Sequence, residues 1–301
     1  MSRILLVGAT GFVGRHVRDR AAAAGMEVVA AARSPEPGGL RLDLCAGPAA
    51  VAAAVRDAAP DAVVNCAGVT RGGALELVRG NIVAVANLVT ALTSTDAGAA
   101  GVRLVHLGSA AEYGDVEQGT PVSEEAPPRP LGPYGVTKLA GTELVRAAAE
   151  AGLDAVVLRV FNPVGPGSPP STLAGRLAAE LRRTGVDGDE VEVGSLAASR
   201  DLVDVRDVAD AVLAAVRAPG PLPAVLNVGS GRATPLRDLV AVLLRVTGTG
   251  RRVREAAAAP ERSAGVAWQQ ADIRAIGRAL AWRPATDLGT SLRDLWAETP
   301  C

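Results

Sequence analysis

The chain has 301 residues, enough for one large domain or two joined ones, with 49% hydrophobic and 21% charged residues. A formal net charge of -1 gives no global field to hold nucleic acid or an anionic membrane, and neither partner is expected. Cys45, Cys66 and Cys301 lack C-x-x-C spacing, which argues against a disulfide framework or a metal site and suits a reducing cytoplasm.

"RILLVG" at 3–8 reads as a strand, and the apolar run there is too short for a signal peptide. It leads into "GATGFVG", with Gly8, Gly11 and Gly14 between that strand and a helix over 12–24. Glycines there let the backbone turn tightly and approach a pyrophosphate, and the helix N-terminus presents free N–H groups to it. Gly8, Thr10, Gly11, Phe12, Val13 and Gly14 are therefore expected to line a dinucleotide.

A second strand, 27–32, ends in "AAARS". An acid at this point would hold the adenosine 2′-hydroxyl of NAD. Arg33 stands there instead and suits a 2′-phosphate, so NADP(H) is favoured over NAD(H). Asp43 and Leu44 follow in "RLDL", Asp43 as a candidate for the adenine amino group. A helix over 47–58 precedes the strand 61–67, whose end "NCAG" offers Cys66, Ala67 and Gly68 as residues that pass under the cofactor.

A helix over 80–97 precedes the strand 103–108 and "HLGSAAEYG", which places Ser109 at a strand C-terminus, the edge where open α/β sheets bind ligands. The Pro-rich "TPVSEEAPPRPLGP" reads either as disordered or as a ligand-covering loop. It leads to a helix over 134–151 that carries Lys138, the only lysine in the chain. Tyr134 lies four residues earlier, on the same helix face. An adjacent ammonium favours the phenolate and can draw a tyrosine down from its usual pKa of about 10.

After the strand 154–160, "FNPVGPGSPP" is too rich in Pro and Gly for a regular element. Shorter elements follow: a helix near 172–184, a strand near 191–193, a helix from "VRDVADAVLAAV", a strand at "AVLNVG" and a helix at "PLRDLVAVLLRVTG". Trp268, Trp282 and Trp296 sit in the tail, where they are expected to pack a small second lobe onto the first. No internal repeat is present, nor a run of about 18 uncharged apolar residues that would suggest a membrane span. The strand–helix alternation specifies an α/β fold: a Rossmann-like doubly wound parallel sheet with a smaller α/β C-terminal lobe. The expected division is a nucleotide-binding domain over 1–161 and a mainly substrate-binding lobe over 162–301, with segments near 202–230 returning to the first.

These motifs, with "RVFNPVGPG", "SRDLVDVRDVADAV", "LNVGSGRATPLRDLV" and "LAWRPATDLGTSLRDL", resemble the extended short-chain dehydrogenase/reductases, the nucleotide-sugar epimerase/dehydratase/reductase superfamily, over nearly the whole length. The resemblance implies a catalytic set of Ser109, Tyr134 and Lys138, with Asn81 as a structural helper and Lys138 reaching the nicotinamide ribose. It implies that Phe161, Asn162 and Val164 border nicotinamide and substrate, that Ser109 and Ala110 face the substrate, and that Arg200 and Arg262 meet a substrate diphosphate. It also implies a homodimer built on the helices near 80–97 and 134–151.

The dehydratases of this superfamily place acids just after the serine. Ala110 and Ala111 stand there, so no acid is offered to protonate a leaving hydroxyl. The epimerase-reductases that make GDP-fucose use a cysteine after the serine, which is also absent. The motifs most resemble the GDP-4-dehydro-6-deoxymannose reductases and related 4-ketoreductases. The expected reaction is NADPH-dependent reduction of the 4-keto group of a nucleotide-linked 6-deoxyhexose, with Ser109 polarising the carbonyl and Tyr134 donating the proton. A 4-epimerase with recycled NAD, a reductase of a non-sugar ketone of polyketide type and a non-catalytic NADP-binding sensor remain as alternatives. "AGVTRGGALELVRG" is shorter than the corresponding family segment, which bears on the substrate cleft.

Overall fold

The structure is a computed structural model that describes residues 2–94, 101–183, 190–255 and 266–299. The chain opens with β1 (Arg3–Val7), α1 (Phe12–Ala23), β2 (Glu27–Ala32), the short β3 (Leu40–Arg41), α2 (Pro48–Ala58) and β4 (Ala62–Asn65). Next come α3 (Ala74–Val78), a π turn (Arg79–Val83) and α4 (Ala84–Thr93), then β5 (Arg103–Ser109), α5 (Pro133–Glu150) and β6 (Ala155–Val160). The remainder is β7 (Asn162–Val164), α6 (Leu173–Arg182), β8 (Glu190–Val193), β9 (Ser199–Asp204), α7 (Val205–Arg217), β10 (Val225–Val228), β11 (Ala233–Pro235), α8 (Leu236–Thr247), β12 (Arg252–Glu255), α9 (Arg274–Leu280) and α10 (Leu288–Glu298).

Seven parallel strands form the main sheet in the order β10-β6-β5-β4-β1-β2-β3. Both faces are covered, which is why the strands read as unbroken apolar runs. Leu5, Val63, Leu104 and Val157 meet α2, α4 and α5 on one face. Their neighbours Leu6, Val64, Val105 and Leu158 meet α1, α7 and Trp282 on the other. The order reverses between β1 and β4, which opens a crevice at the C-terminal ends of β1, β4 and β5.

A second cluster gathers around Leu177, Leu239, Leu243, Leu292 and Leu295 from α6, α8 and α10, with Val191 and Val193 of β8. Each leucine is nearly fully buried, and burial on this scale contributes about 1.5–3 kcal/mol per side chain. Beside it lie a three-stranded sheet, β11-β9-β7, and the pair β12-β8. α7 and β10 rejoin the main sheet, β10 pairing in parallel with β6.

The principal strands and helices lie where the sequence places them, with four differences. The helix expected over 80–97 begins at Ala74 and continues through the π turn to Thr93; positions 95–97 of that expectation, like position 184 of the helix expected near 172–184, lie outside the described residues. This 20-residue run has a mean hydropathy of 1.4, enough by length and composition for a membrane span, yet Leu77, Val85, Leu88 and Leu92 are buried inside the fold. The Pro-rich loop is tied down by bridges from Gly114 to Arg129 and from Val122 to Ala271. The tryptophans do not share one role. Trp282 packs on the main sheet and donates to Asp207 O, Trp296 stays with the second cluster under the Arg182 guanidinium, and Trp268 bridges to Ser199. β7 lies inside "FNPVGPGSPP", where the sequence predicts no regular element, because pairing with β9 holds it extended; β9, β11 and β12, with helices α9 and α10, complete the second lobe without an apolar run long enough to announce them.

Candidate functional site

The glycine-rich turn is shaped by close backbone approach. Gly8 has φ +81, and a Cβ there would lie 2.7 Å from Ala67 N, at the end of β4. A Cβ at Gly14 would collide with Gly8 O, so α1 begins hard against the turn. This leaves a cradle of backbone at the N-terminus of α1 that fits the pyrophosphate of a dinucleotide. Arg15 donates to Pro166 O and Gly167 O at 3.1 and 2.5 Å, and His16 Nε2 donates to Pro166 O at 3.0 Å. The start of α1 is thereby joined to the loop after β7. Burial draws His16 below its usual value, although the bond to Pro166 opposes this.

Arg33 is exposed just beyond β2, and no acid stands beside it at the end of that strand. Asp43 is exposed as well, but its carboxylate already accepts from Cys45 N at 2.9 Å as the cap of a short 3-10 turn that begins with Leu44. At the end of β4, Asn65 Oδ1 accepts from Ala67 N at 3.0 Å. Burial pushes the Cys66 thiol up to about 12, with the Lys138 ammonium working against it, so the thiol stays neutral near pH 7.

Asn81 is buried in the π turn, a distortion found often at functional positions. Its amide donates to Val69 O at 2.8 Å and to Thr137 Oγ1 at 3.0 Å, and its carbonyl accepts from Val69 N at 2.8 Å. Thr137 Oγ1 in turn donates to Tyr134 O at 3.0 Å. Asn81 thus ties the segment after β4 to the first turn of α5 and acts as structural support. Gly68 packs closely on it: a Cβ there would lie 3.3 Å from Asn81 Oδ1.

Ser109 ends β5, and Tyr134 and Lys138 lie on the first turns of α5. A Cβ at Gly135 would lie 2.5 Å from Ala111 O, so α5 rests directly on the turn that follows Ser109. Lys138 is buried, and its ammonium donates to Leu107 O at 2.6 Å, two residues before Ser109. Burial pulls the ammonium below its usual value, and the Glu112 carboxylate and Cys66 oppose the shift. The i,i+4 spacing foresees the Tyr134–Lys138 face but not this anchor on β5. Ser109 and the Lys138 ammonium therefore lie at the C-terminal end of β5, and Tyr134 stands in the first turn of the helix that rests there.

Phe161 is buried and its N–H donates to Val228 O at 2.9 Å. Asn162 donates to Asp201 O at 3.0 Å, and Val164 belongs to the second cluster. Arg200 is buried and donates to Ser199 O and Val266 O at 2.9 and 2.8 Å. Burial lowers it, and no carboxylate pairs with it among the described residues. Arg262 lies outside the described residues. Among the described residues, no three His, Cys, Asp or Glu side chains gather as a metal centre would require.

Sequence reasoning passed over two groups. Asp201 is fully buried and accepts from Ser230 N, Ser230 Oγ, Gly231 N and Ala271 N, joining β9 to the turn after β10 and to the segment before α9. Glu112, also fully buried, pairs with Arg159 at 2.7 Å. The S-x-x-E spacing of Ser109 and Glu112 is the available signal for the second.

Comparison with known proteins adds four findings. A family model described as the NAD dependent epimerase/dehydratase family matches residues 4–229. The chain is 38% identical over 305 residues to the dTDP-6-deoxy-L-talose 4-dehydrogenase (NAD(P)(+)) of Kitasatospora kifunensis, covering 98% of this chain and 95% of that one. It is 31% identical over 313 residues to the GDP-6-deoxy-D-mannose reductase of Pseudomonas aeruginosa, covering 98% and 96%. A solved structure of RMD from Pseudomonas aeruginosa complexed with NADPH superposes with a TM-score of 0.83 at 28% identity, covering 99% of this chain and 98% of that one.

Proposed function

The chain belongs to the NAD dependent epimerase/dehydratase family, and we propose that it is an NADP(H)-linked oxidoreductase that interconverts a ketone and an alcohol at C4 of a nucleotide-linked 6-deoxyhexose. The observation that carries this reading is the state of the acids around Ser109. Ala110 and Ala111 supply none, and Glu112 is fully buried with both carboxylate oxygens engaged. A dehydratase needs an acid free to protonate a departing hydroxyl. This site offers only a hydroxyl, a phenol and an ammonium, a set suited to moving one proton to or from a carbonyl oxygen.

A nicotinamide dinucleotide, with its pyrophosphate held in the glycine cradle at the start of α1, would supply or receive the hydride. Ser109 donates to the carbonyl oxygen and stabilises the charge that develops there. Tyr134 gives that oxygen its proton, or takes it in the reverse direction. Lys138, whose ammonium donates to Leu107 O of β5, would lend its charge to the phenol one helical turn earlier and meet the ribose hydroxyls. Arg200, buried without a carboxylate partner among the described residues, offers its charge to the diphosphate of the substrate. Arg33 in place of a strand-end acid supports NADP(H). Two relatives whose names specify 4-dehydrogenase and reductase activity on deoxysugar nucleotides support the substrate class.

The test supplies dTDP- and GDP-linked 4-keto-6-deoxyhexoses with NADPH. Stoichiometric loss of NADPH and formation of a 4-hydroxy sugar are expected, with weaker use of NADH. Arg33→Ala should weaken NADPH binding by about 1.5–3 kcal/mol and leave NADH unchanged. Interconversion of 4-hydroxyl epimers without net NADPH loss would replace this reading with the epimerase one.

A further inference from the structure

We propose that Glu112 is a positioning residue for the reaction: bridging the Ser109 amide and the Arg159 guanidinium, it fixes the strand end from which the Ser109 hydroxyl meets the substrate carbonyl. The proposal rests on the role given to Ser109 above. Glu112 Oε1 accepts from Ser109 N at 2.7 Å, and Oε2 accepts from Arg159 Nε at 2.7 Å. Ser109 is the N-cap of the 3-10 turn Ala110–Glu112, and its own Oγ accepts from Ala111 N at 3.2 Å. The pattern is that of a capping box, which ordinarily sits at a solvated helix start. Here the glutamate is 0% exposed and its partner arginine 2%.

A buried ion pair is weak evidence for stability, because desolvating two charges consumes most of what their attraction returns. This one is also built into surroundings that resist movement. A Cβ at Gly108 would lie 2.9 Å from Glu112 Oε1 and 3.1 Å from Arg159 Cγ. The Arg159 guanidinium lies 4.7 Å from the centre of the Tyr113 ring, and Tyr113 OH donates to Asn227 Oδ1 at 2.8 Å. Asn227 extends the frame by donating to Val122 O and, through its N–H, to Glu124 Oε1. Gln269 completes it by donating to Ala110 O and Gly114 O, both at 3.1 Å. β6, β10 and the loop over 115–132 all bear on the turn; β6 pairs with Ser109 through Val160, and the Glu112 carboxylate accepts from the Ser109 amide.

Charge and reach are separated by two conservative variants. Glu112→Gln keeps an acceptor for the Ser109 amide but turns an amide N–H toward the Arg159 Nε–H, so it keeps the anchor and loses the ion pair. Glu112→Asp keeps the charge near Arg159 but is one methylene too short to reach both partners. Positioning predicts that kcat falls more than about 100-fold in Glu112→Asp and less than about tenfold in Glu112→Gln, with NADPH affinity near wild type in both. A purely electrostatic or structural role predicts the reverse order, or a common loss of fold and cofactor binding, and would overturn the proposal. Combining Glu112→Asp with Ser109→Ala should add almost nothing to Ser109→Ala alone, because Glu112 acts through that serine; additive losses would also overturn it. Hydrogen exchange of the Ser109 amide gives a readout that needs no substrate: protection kept in Glu112→Gln and lost in Glu112→Asp. If wild type reduces no keto sugar but this exchange pattern holds, the ketoreductase reading fails while the anchoring of Ser109 stands. Equal protection in the two variants removes the anchoring itself.

Discussion

Replacing Lys138 separates a reaction slot from a surface pairing. The side chain is 6% exposed, and its ammonium sits 2.6 Å from Leu107 O. Lys138→Met removes a charge-assisted bond, an interaction worth about 1.5–3 kcal/mol, together with the cation one helical turn from Tyr134 on α5. Lys138→Arg keeps the cation but forces a planar group into a packed interior, where overpacking costs about 1–3 kcal/mol. If the same ammonium holds the cofactor ribose, both variants lose NADPH affinity by about 10- to 100-fold, since each 1.4 kcal/mol is a factor of ten. Fluorescence titration with NADPH measures this, and a urea midpoint on the same samples separates lost binding from lost folding. The pH–rate profile adds a second axis: without the cation, Lys138→Met should shift the profile to higher pH, because a nearby positive charge favours the phenolate. A Lys138→Arg protein with wild-type affinity, rate and pH profile would refute the reasoning and leave the single lysine with no role in the site.

Two further outcomes follow from exposed and buried groups away from the reacting atoms. Leu75, Val83 and Val136 are 70%, 38% and 50% exposed on α3, the π turn and α5, and the homodimer expected from the sequence would cover them. Val136→Asp should then convert the dimer to a particle near the 30.4 kDa chain mass in sedimentation, and a wild type already at that mass would exclude the dimer. His106 is buried, accepts from the Asn65 amide at Nδ1, and is drawn well below 6.5 by burial, with the Lys138 charge adding to the shift. Its folded value lies below its unfolded one, so the unfolded chain takes up a proton first and stability falls as pH drops through about 6.5, by up to about 1.4 kcal/mol per pH unit. Urea midpoints that stay level from pH 7 to 5.5 would contradict this.

The main sheet was legible because its strands are buried on both sides. "DAVVLRV" reads as a strand on apolarity alone, and β6 occupies Ala155–Val160 within it. The same reading hides the exception. Arg159 stands inside that run, and its partner Glu112 lies 47 residues earlier, a separation that no periodicity records. The second lobe was obscure for a related reason. β7 and β11 have three residues each and both contain proline, so their pairing with β9 depends on contacts made after the chain has folded back. At the candidate site, residue types were legible and directions were not. Tyr134 and Lys138 follow from helical spacing, but the bond to Leu107 O depends on how α5 crosses β5, and that crossing is set by Gly135 against Ala111 O. The S-x-x-E spacing of Ser109 and Glu112 was visible as an ordinary capping pattern. What changes its meaning is burial. At a solvated turn the carboxylate can be replaced by water, so its loss is small. At 0% exposure water cannot take its place, so losing the carboxylate leaves the Ser109 amide without that acceptor.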